Sequence, residues 1–211
     1  TGFLFSRKKD TVTVLRAETR EALIGINLVQ VDRVPIPASR SSAIRAGESV
    51  AADKARRVIA VNAGAPVELI RALLPRFQAQ GRGTILLIAS NAGLIGHVKT
   101  ASYGATKAFL VRLGEALAEE VAKDGVHVIV ACPGAVMTPN FQRSNARLWR
   151  PLVATPTEVA RSALDALWQK GPVVVLGQGN RAAMRLLSLL PRRLAVRVLA
   201  RVMRSTYPDE R

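Results

Sequence analysis

Cysteine, histidine, aromatic and acidic residues are all scarce in this chain. A single cysteine, Cys132, excludes an internal disulfide and fits a reducing compartment. It falls at the end of a predicted strand, where a buried, inert thiol is expected. The two histidines and that cysteine lie far apart, so no metal-ligand spacing forms. Aromatic residues make up 4% of the chain and are scattered, which leaves no stacking platform for nucleic acid. Only 15 acidic residues face 31 lysines and arginines, and the net charge of +16 at pH 7 allows attraction to polyanions. No unbroken apolar run approaches ~18 residues, so no spanning helix is expected, and no signal peptide is visible. The chain begins with Thr1 rather than methionine and reads as a fragment or a processed product.

What is present is a length of 211 residues with 49% hydrophobic composition, enough for one domain with a full core. Its most regular stretch runs from Thr84 to Gly125. Thr84-Ile-Leu-Leu-Ile-Ala89 is a short, branched apolar run suited to a strand buried on both faces. Ser90-Asn-Ala-Gly93 is a turn of small residues that leaves the strand's carboxyl end open. Ser102-Tyr103-Gly-Ala-Thr-Lys107 then leads into a segment with helical apolar spacing, which Asp124-Gly125 ends. Four-residue spacing on a helix sets Tyr103 and Lys107 side by side, and the strand end carrying Ser90 can point at that face.

Serine, tyrosine and lysine so placed suit carbonyl–alcohol redox chemistry. A tyrosine hydroxyl has an ordinary pKa near ~10, too high for easy proton exchange at neutral pH. An ammonium one turn away is expected to stabilise the phenolate and lower that pKa. The serine hydroxyl can hold the substrate oxygen while Tyr103 gives or takes its proton. The hydride needs a cofactor, because no side chain carries one. Against this stands an ordinary exposed helix pair, which a bare Tyr-x-x-x-Lys favours; strand, turn, serine and helix together tip the balance to function.

From roughly Glu48 to Arg204 the sequence resembles the classical short-chain dehydrogenases/reductases. The resemblance rests on Val61-Asn62, Ser90, Tyr103-Gly-Ala-Thr-Lys107 and Cys132-Pro133-Gly134-Ala-Val136-Met-Thr138. It implies a doubly wound, Rossmann-like parallel α/β sheet and a catalytic tetrad of Asn62, Ser90, Tyr103 and Lys107. Tyr103 would be the general acid/base and Ser90 the substrate orienter. Lys107 would act on the tyrosine and on the nicotinamide ribose. Asn62 would kink its helix and hold a water in a proton relay, although a satisfied structural asparagine competes with that role. Pro133 and Gly134 would turn the chain beside the cofactor, and Val136 and Thr138 would contact the nicotinamide carboxamide. The implied cofactor is NADP, with NAD as the alternative; a homo-oligomer is implied as well, and the expected location is cytoplasmic, or at a membrane through the basic C-terminal helix.

Residues 1–47 fit this pattern least. Thr11 to Leu15 is expected as a strand with Arg16 at its end, Glu18 to Ile24 as the opening of a helix, and Ile26 to Val31 as a strand ending at Asp32. These match the second and third strands of the sheet. Arg16 and Asp32 would then lie on the cofactor side, Arg16 either at an NADP 2′-phosphate or as a solvated arginine. The family's glycine-rich turn, whose amides and helix N-terminus hold the pyrophosphate, is not continued after Thr1-Gly2. The Asn-Asn-Ala-Gly segment is also lacking, and Arg33 to Arg45 reads as loop. The sheet is therefore expected to lack its first and fourth strands and to be incomplete in its N-terminal half.

Ala51 to Phe77 is expected as one long helix carrying Val58, Ile59, Val61, Leu69, Leu73 and Leu74, with Pro66 and Pro75 as irregularities. Val126 to Ala131 and Pro172 to Leu176 are expected strands, and His127 a satisfied strand histidine. Pro156 and a capping threonine open a helix reaching Trp168. Phe141 to Val153 would be a mobile segment covering a small-molecule carbonyl or alcohol substrate. Residues 180–205 hold seven arginines and no acid, a basic amphipathic helix with Arg193, Arg197, Arg201 and Arg204 on one face. The opposite arc holds Leu194, Val198, Leu199, Val202 and Met203, to lie on an anionic membrane or to pack on protein.

The expected activity is NAD(P)-dependent interconversion of a ketone and a secondary alcohol. Two rivals remain: a catalytically dead fragment without its phosphate turn, and a scaffold that presents a membrane-surface or polyanion-binding tail.

Overall fold

A computed structural model describes residues 6–7, 10–11, 23–26, 55–98, 100–138, 141, 152–169 and 171–206. Strands β1 (Ser6–Arg7) and β2 (Asp10–Thr11) pair antiparallel as a small ribbon separate from the main sheet. Strand β3 is Leu23–Ile26; the helix Ala55–Gln80 is α1. Then follow β4 (Gly83–Ile88), α2 (Ala101–Val121), β5 (Val126–Cys132), β6 (Ala135–Val136), β7 (Val153–Ala154) and α3 (Pro156–Asp165). Strand β8 (Val173–Val175) and helices α4 (Gln178–Ser188) and α5 (Arg192–Thr206) complete the described chain.

The main sheet has the order β3-β4-β5-β8, parallel throughout. Its strands are apolar on both faces because helices cover both. Ile85, Leu87, Val128 and Val130 meet Ile70 and Phe77 of α1 and Leu110 and Leu117 of α2. Leu86, Ile129 and Ala131 meet Ala163 of α3 and the short turn Ala166–Trp168. This is the doubly wound α/β arrangement expected.

The N-terminal readings need correction. Leu23 and Ile24, expected to be helical, are strand, and β3 pairs residue for residue with β4, Ile24 opposite Ile85 and Ile26 opposite Leu87. The place beside β4, expected to be empty, is thus filled by an earlier segment than the Ile26–Val31 strand. A branched apolar segment gains more from a buried parallel ladder than from helix propensity, and that gain comes from residues some sixty positions away. Thr11 is in the separate ribbon, and Arg16 and Asp32 lie outside the described residues.

Helix α1 runs on past Phe77 to Gln80, where Gly81 at φ 61° accepts the left-handed conformation that closes it. Its buried residues are Pro66, Ile70 and Phe77, while Ile59 is 53% exposed. By length and composition α1 could cross a membrane, contrary to expectation, since charges spaced along it interrupt any run without lowering its average much. Its packing on β4 makes it a surface helix of the domain. Thr155 is the cap of α3, in a capping box with Glu158.

Candidate active site

The carboxyl ends of β4 and β5 form the floor of the site. Ala89 N–H donates to the Ala131 carbonyl at 2.8 Å, and Asn91 N–H to that of Pro133 at 2.9 Å. Ser90 is extended, and its Oγ accepts from Ala92 N–H at 3.2 Å, which caps the short turn Asn91–Gly93. That turn lies directly on α2: a Cβ on Gly93 would stand 2.6 Å from the Lys107 carbonyl carbon. Only glycine admits this approach, and it fixes the height of Ser90 against the helix.

On α2, Tyr103 and Lys107 share a face as their spacing predicts. Lys107 is 7% exposed, and its Nζ donates to the Ile88 carbonyl at 2.9 Å. The same ammonium stands 5.7 Å from the centre of the Tyr103 ring. Tyr103 keeps 37% of its surface exposed, and the Ser90 side chain is the polar group that acts on its hydroxyl. Serine, tyrosine and lysine are therefore brought together.

The electrostatics differ from expectation at one point. Burial raises the Tyr103 pKa above 10.0, and the Ser90 hydrogen bond only partly opposes this. Lys107 does not pull it down, because its ammonium lies against the ring and bonds to a main-chain carbonyl. Burial also lowers the Lys107 pKa to about 8. Cys132, at the end of β5, is pushed up to about 12 by burial, so it stays a neutral thiol and supplies no counter-charge. Its inert reading stands.

Asn62 sits in the π-helical turn Ala60–Gly64, a local irregularity in the helix where a kink was expected. Pro66 has no N–H to return to the Asn62 carbonyl four residues earlier, which loosens the helix there. The Asn62 amide donates to Thr106 Oγ1 at 3.2 Å, and Thr106 donates to the Tyr103 carbonyl at 2.8 Å. Asn62 thus reaches the site through Thr106, a residue that sequence reasoning passed over although it stands inside the Tyr–Lys motif.

Pro133 is buried, and Gly134 lies so close to the Asn180 amide that any side chain would run into it. Asn180 in turn accepts from Asn91 Nδ2 at 3.1 Å. Val136 lies in β6 beside β7, and Thr138 Oγ1 accepts from Phe141 N–H at 3.2 Å. Of the expected covering segment, residues 142–151 lie outside the described ones, while Val153 belongs to β7. His97 is bonded to Thr100 at 2.9 Å and its pKa is lowered by burial, so it serves the loop before α2. His127, at the start of β5, is exposed rather than satisfied in the sheet.

The donor set suits the nicotinamide–ribose end of a dinucleotide: a buried ammonium and two hydroxyls, on Tyr103 and Thr138, at an open strand end. A buried acceptor, Asn91 Oδ1, has no protein partner. The pyrophosphate end, with Thr1, Gly2, Arg16 and Asp32, lies outside the described residues. Among the described residues no three metal-ligating side chains converge.

An open parallel α/β sheet with a Ser–Tyr–Lys cluster at its strand ends is the architecture of a dinucleotide-dependent oxidoreductase. The model of the short chain dehydrogenase family matches residues 24–149, well over half of the chain. The chain belongs to that family. It is similar to the ketoacyl reductase HetN of Nostoc, 36% identical over 118 residues, covering 54% of this chain and 40% of that one. Among solved structures it resembles a 3-oxoacyl-[acyl-carrier protein] reductase with bound NAD from Brucella melitensis. The TM-score there is 0.52, with 29% identity over 59% of this chain and 51% of that one. A short chain dehydrogenase from Burkholderia cenocepacia, in complex with NADP, has a TM-score of 0.65 at 22% identity, covering 76% and 64% of the two chains. The chain spans less than half the length of the curated relatives it matches.

Proposed function

We propose that this protein is an NAD(P)-dependent oxidoreductase that interconverts a small-molecule ketone and its secondary alcohol. The observation that carries this is the meeting of Ser90, Tyr103 and a buried Lys107 where the end of β4 faces α2. The raised pKa keeps Tyr103 protonated at neutral pH, so it is ready to donate to the oxygen of a ketone under reduction. Ser90, whose hydroxyl acts on Tyr103, holds that oxygen. Lys107, cationic below about pH 8, stands 5.7 Å from the centre of the Tyr103 ring, where it would hold the nicotinamide ribose beside the reacting oxygen.

The cofactor we infer is NADP(H), with NAD(H) as the alternative, and it would supply the hydride. Lys107, Tyr103 and Thr138 are the residues that would hold its nicotinamide–ribose end. Both the NADP-bound and the NAD-bound structural relatives are compatible with this. A keto group is also what the Nostoc and Brucella relatives act on by name. The intact cluster favours this reading over a dead fragment. Association into a homo-oligomer is part of the proposal, because α1 buries little of its apolar surface within the chain.

The test is Tyr103→Phe in the full protein, assayed with a ketone and reduced cofactor. We expect kcat to fall by about 10²- to 10⁴-fold, with cofactor affinity kept. Unchanged kcat in that variant would remove Tyr103 as the proton donor.

A further inference from the structure

Residues 178–206 contain seven arginines and neither aspartate nor glutamate. The single basic helix expected there is two helices, α4 and α5, because Pro191 cannot continue the first. Helix α5 packs by a different stripe from the one its leucines and valines suggest. Ala195, Ala200, Met203 and Thr206 are buried, and Val196 lies against Gly96 in the loop before α2. Leu194 and Val202 are left 44% and 45% exposed. Packing on the body and an outward basic face, posed above as alternatives, are thus both present.

Arg193, Arg197, Arg201 and Arg204 are all exposed on the outward side of α5, and no carboxylate among the described residues pairs with them. Where α4 turns into α5, Leu186 is 66% and Leu189 79% exposed, between Arg185 on one side and Arg192 on the other. Met184, Leu187 and Leu190 instead line a half-open pocket of about 570 Å³ beside β8, which Arg185 and Arg192 also line. The α4–α5 hairpin therefore shows the outside a row of cations and a leucine tip.

Three occupants compete for this surface. Nucleic acid would use the arginines but has no use for exposed aliphatic side chains, and no aromatic residue stands among them. A second copy docked by a two-fold axis would set arginine rows against each other without a carboxylate between them. An anionic bilayer matches both features, guanidinium groups at the headgroups and leucines in the interfacial layer. We propose that the α4–α5 hairpin docks the protein on an anionic membrane surface through Arg193, Arg197, Arg201 and Arg204, with Leu186 and Leu189 entering the interface. Charge and exposure carry this, independently of the catalytic reading.

The test is co-sedimentation of the full protein with vesicles of phosphatidylcholine alone and of phosphatidylcholine mixed equally with phosphatidylglycerol. We expect the protein in the anionic pellet at low salt, little of it with neutral vesicles, and release at high salt. Replacing the four arginines together (R193Q, R197Q, R201Q and R204Q) should lower partitioning by about a thousandfold. Leu186→Ser with Leu189→Ser should lower it by about tenfold, with circular dichroism unchanged in both variants. Absence from the anionic pellet at low salt, equal binding to neutral vesicles, or wild-type partitioning of the arginine variant would each overturn the proposal. A concentration-dependent dimer without lipid, abolished by the leucine pair, would assign the surface to a second copy instead.

Discussion

The strand-end site and the α4–α5 hairpin both hold basic residues, and they treat them in opposite ways. Lys107 is 7% exposed, tied to the Ile88 carbonyl, and its pKa is brought down to about 8. The arginines of α5 stand in water and pair with no carboxylate among the described residues. Burial makes a charge conditional and therefore usable in proton chemistry; exposure keeps it permanent and therefore usable for attraction at a distance. One region acts through a single desolvated group, the other through a number of solvated ones.

If that contrast holds, substitutions in the two regions should differ in kind as well as in size. Phe77→Ala should have the largest effect on stability, about 3–5 kcal/mol by denaturant unfolding, because the ring is 2% exposed and closes the core between α1 and β4. Lys107→Met should lower kcat by about 10²-fold or more and remove a fall in the reduction rate as pH rises through about 8. Lys107 should also leave a mark on stability with a definite sign. Its folded pKa lies below the ordinary 10.5, so between about 8 and 10.5 the unfolded chain binds the extra proton. Wild type should therefore gain stability relative to Lys107→Met as pH rises through that window, and a relative loss would contradict the burial assigned to the ammonium.

Gly93→Ala should cost about 1–3 kcal/mol and lower kcat, since the added methyl must push the Ser90 turn off the main chain of α2. A variant with normal kcat would show that the turn's height over the helix does not matter to the chemistry. Leu189→Ser, on the hairpin, should change stability by no more than about 0.5 kcal/mol, because the side chain is 79% exposed. A large loss there would mean that the hairpin tip is part of a packed interface.

Much of the site was legible from local pattern. The run Thr84 to Ala89 is strand-like by branching and length, Tyr103 and Lys107 share a helix face by spacing alone, and Gly125 at φ 71° ends the turn that Asp124-Gly125 announced. An irregularity at Asn62 was expected from resemblance, and Pro66 supplies a local cause for the π-helical turn found there. The partner of Leu23–Ile26 was not legible, because a parallel ladder joins segments far apart and leaves no short-range signature. The buried stripe of α5 was misread because Ala195, Ala200 and Thr206, small or polar residues, fit closely against the body where larger apolar ones stay outside.

The sequence by itself determined β4, α2, β5, α3 and β8 in their order, the helix face that Tyr103 and Lys107 share, and the sign of the charge on the tail. Each of these depends on spacing within one element or on composition, which chain order preserves. The tertiary structure alone decided that β3 lies beside β4, that Tyr103 is held above its ordinary pKa, and that Thr106 links Asn62 to the site. It alone decided, too, that the arginines of α5 face outward while Ala195 and Met203 face in. These are questions of which surfaces lose water against which others, and desolvation is a property of the packed chain rather than of any segment within it.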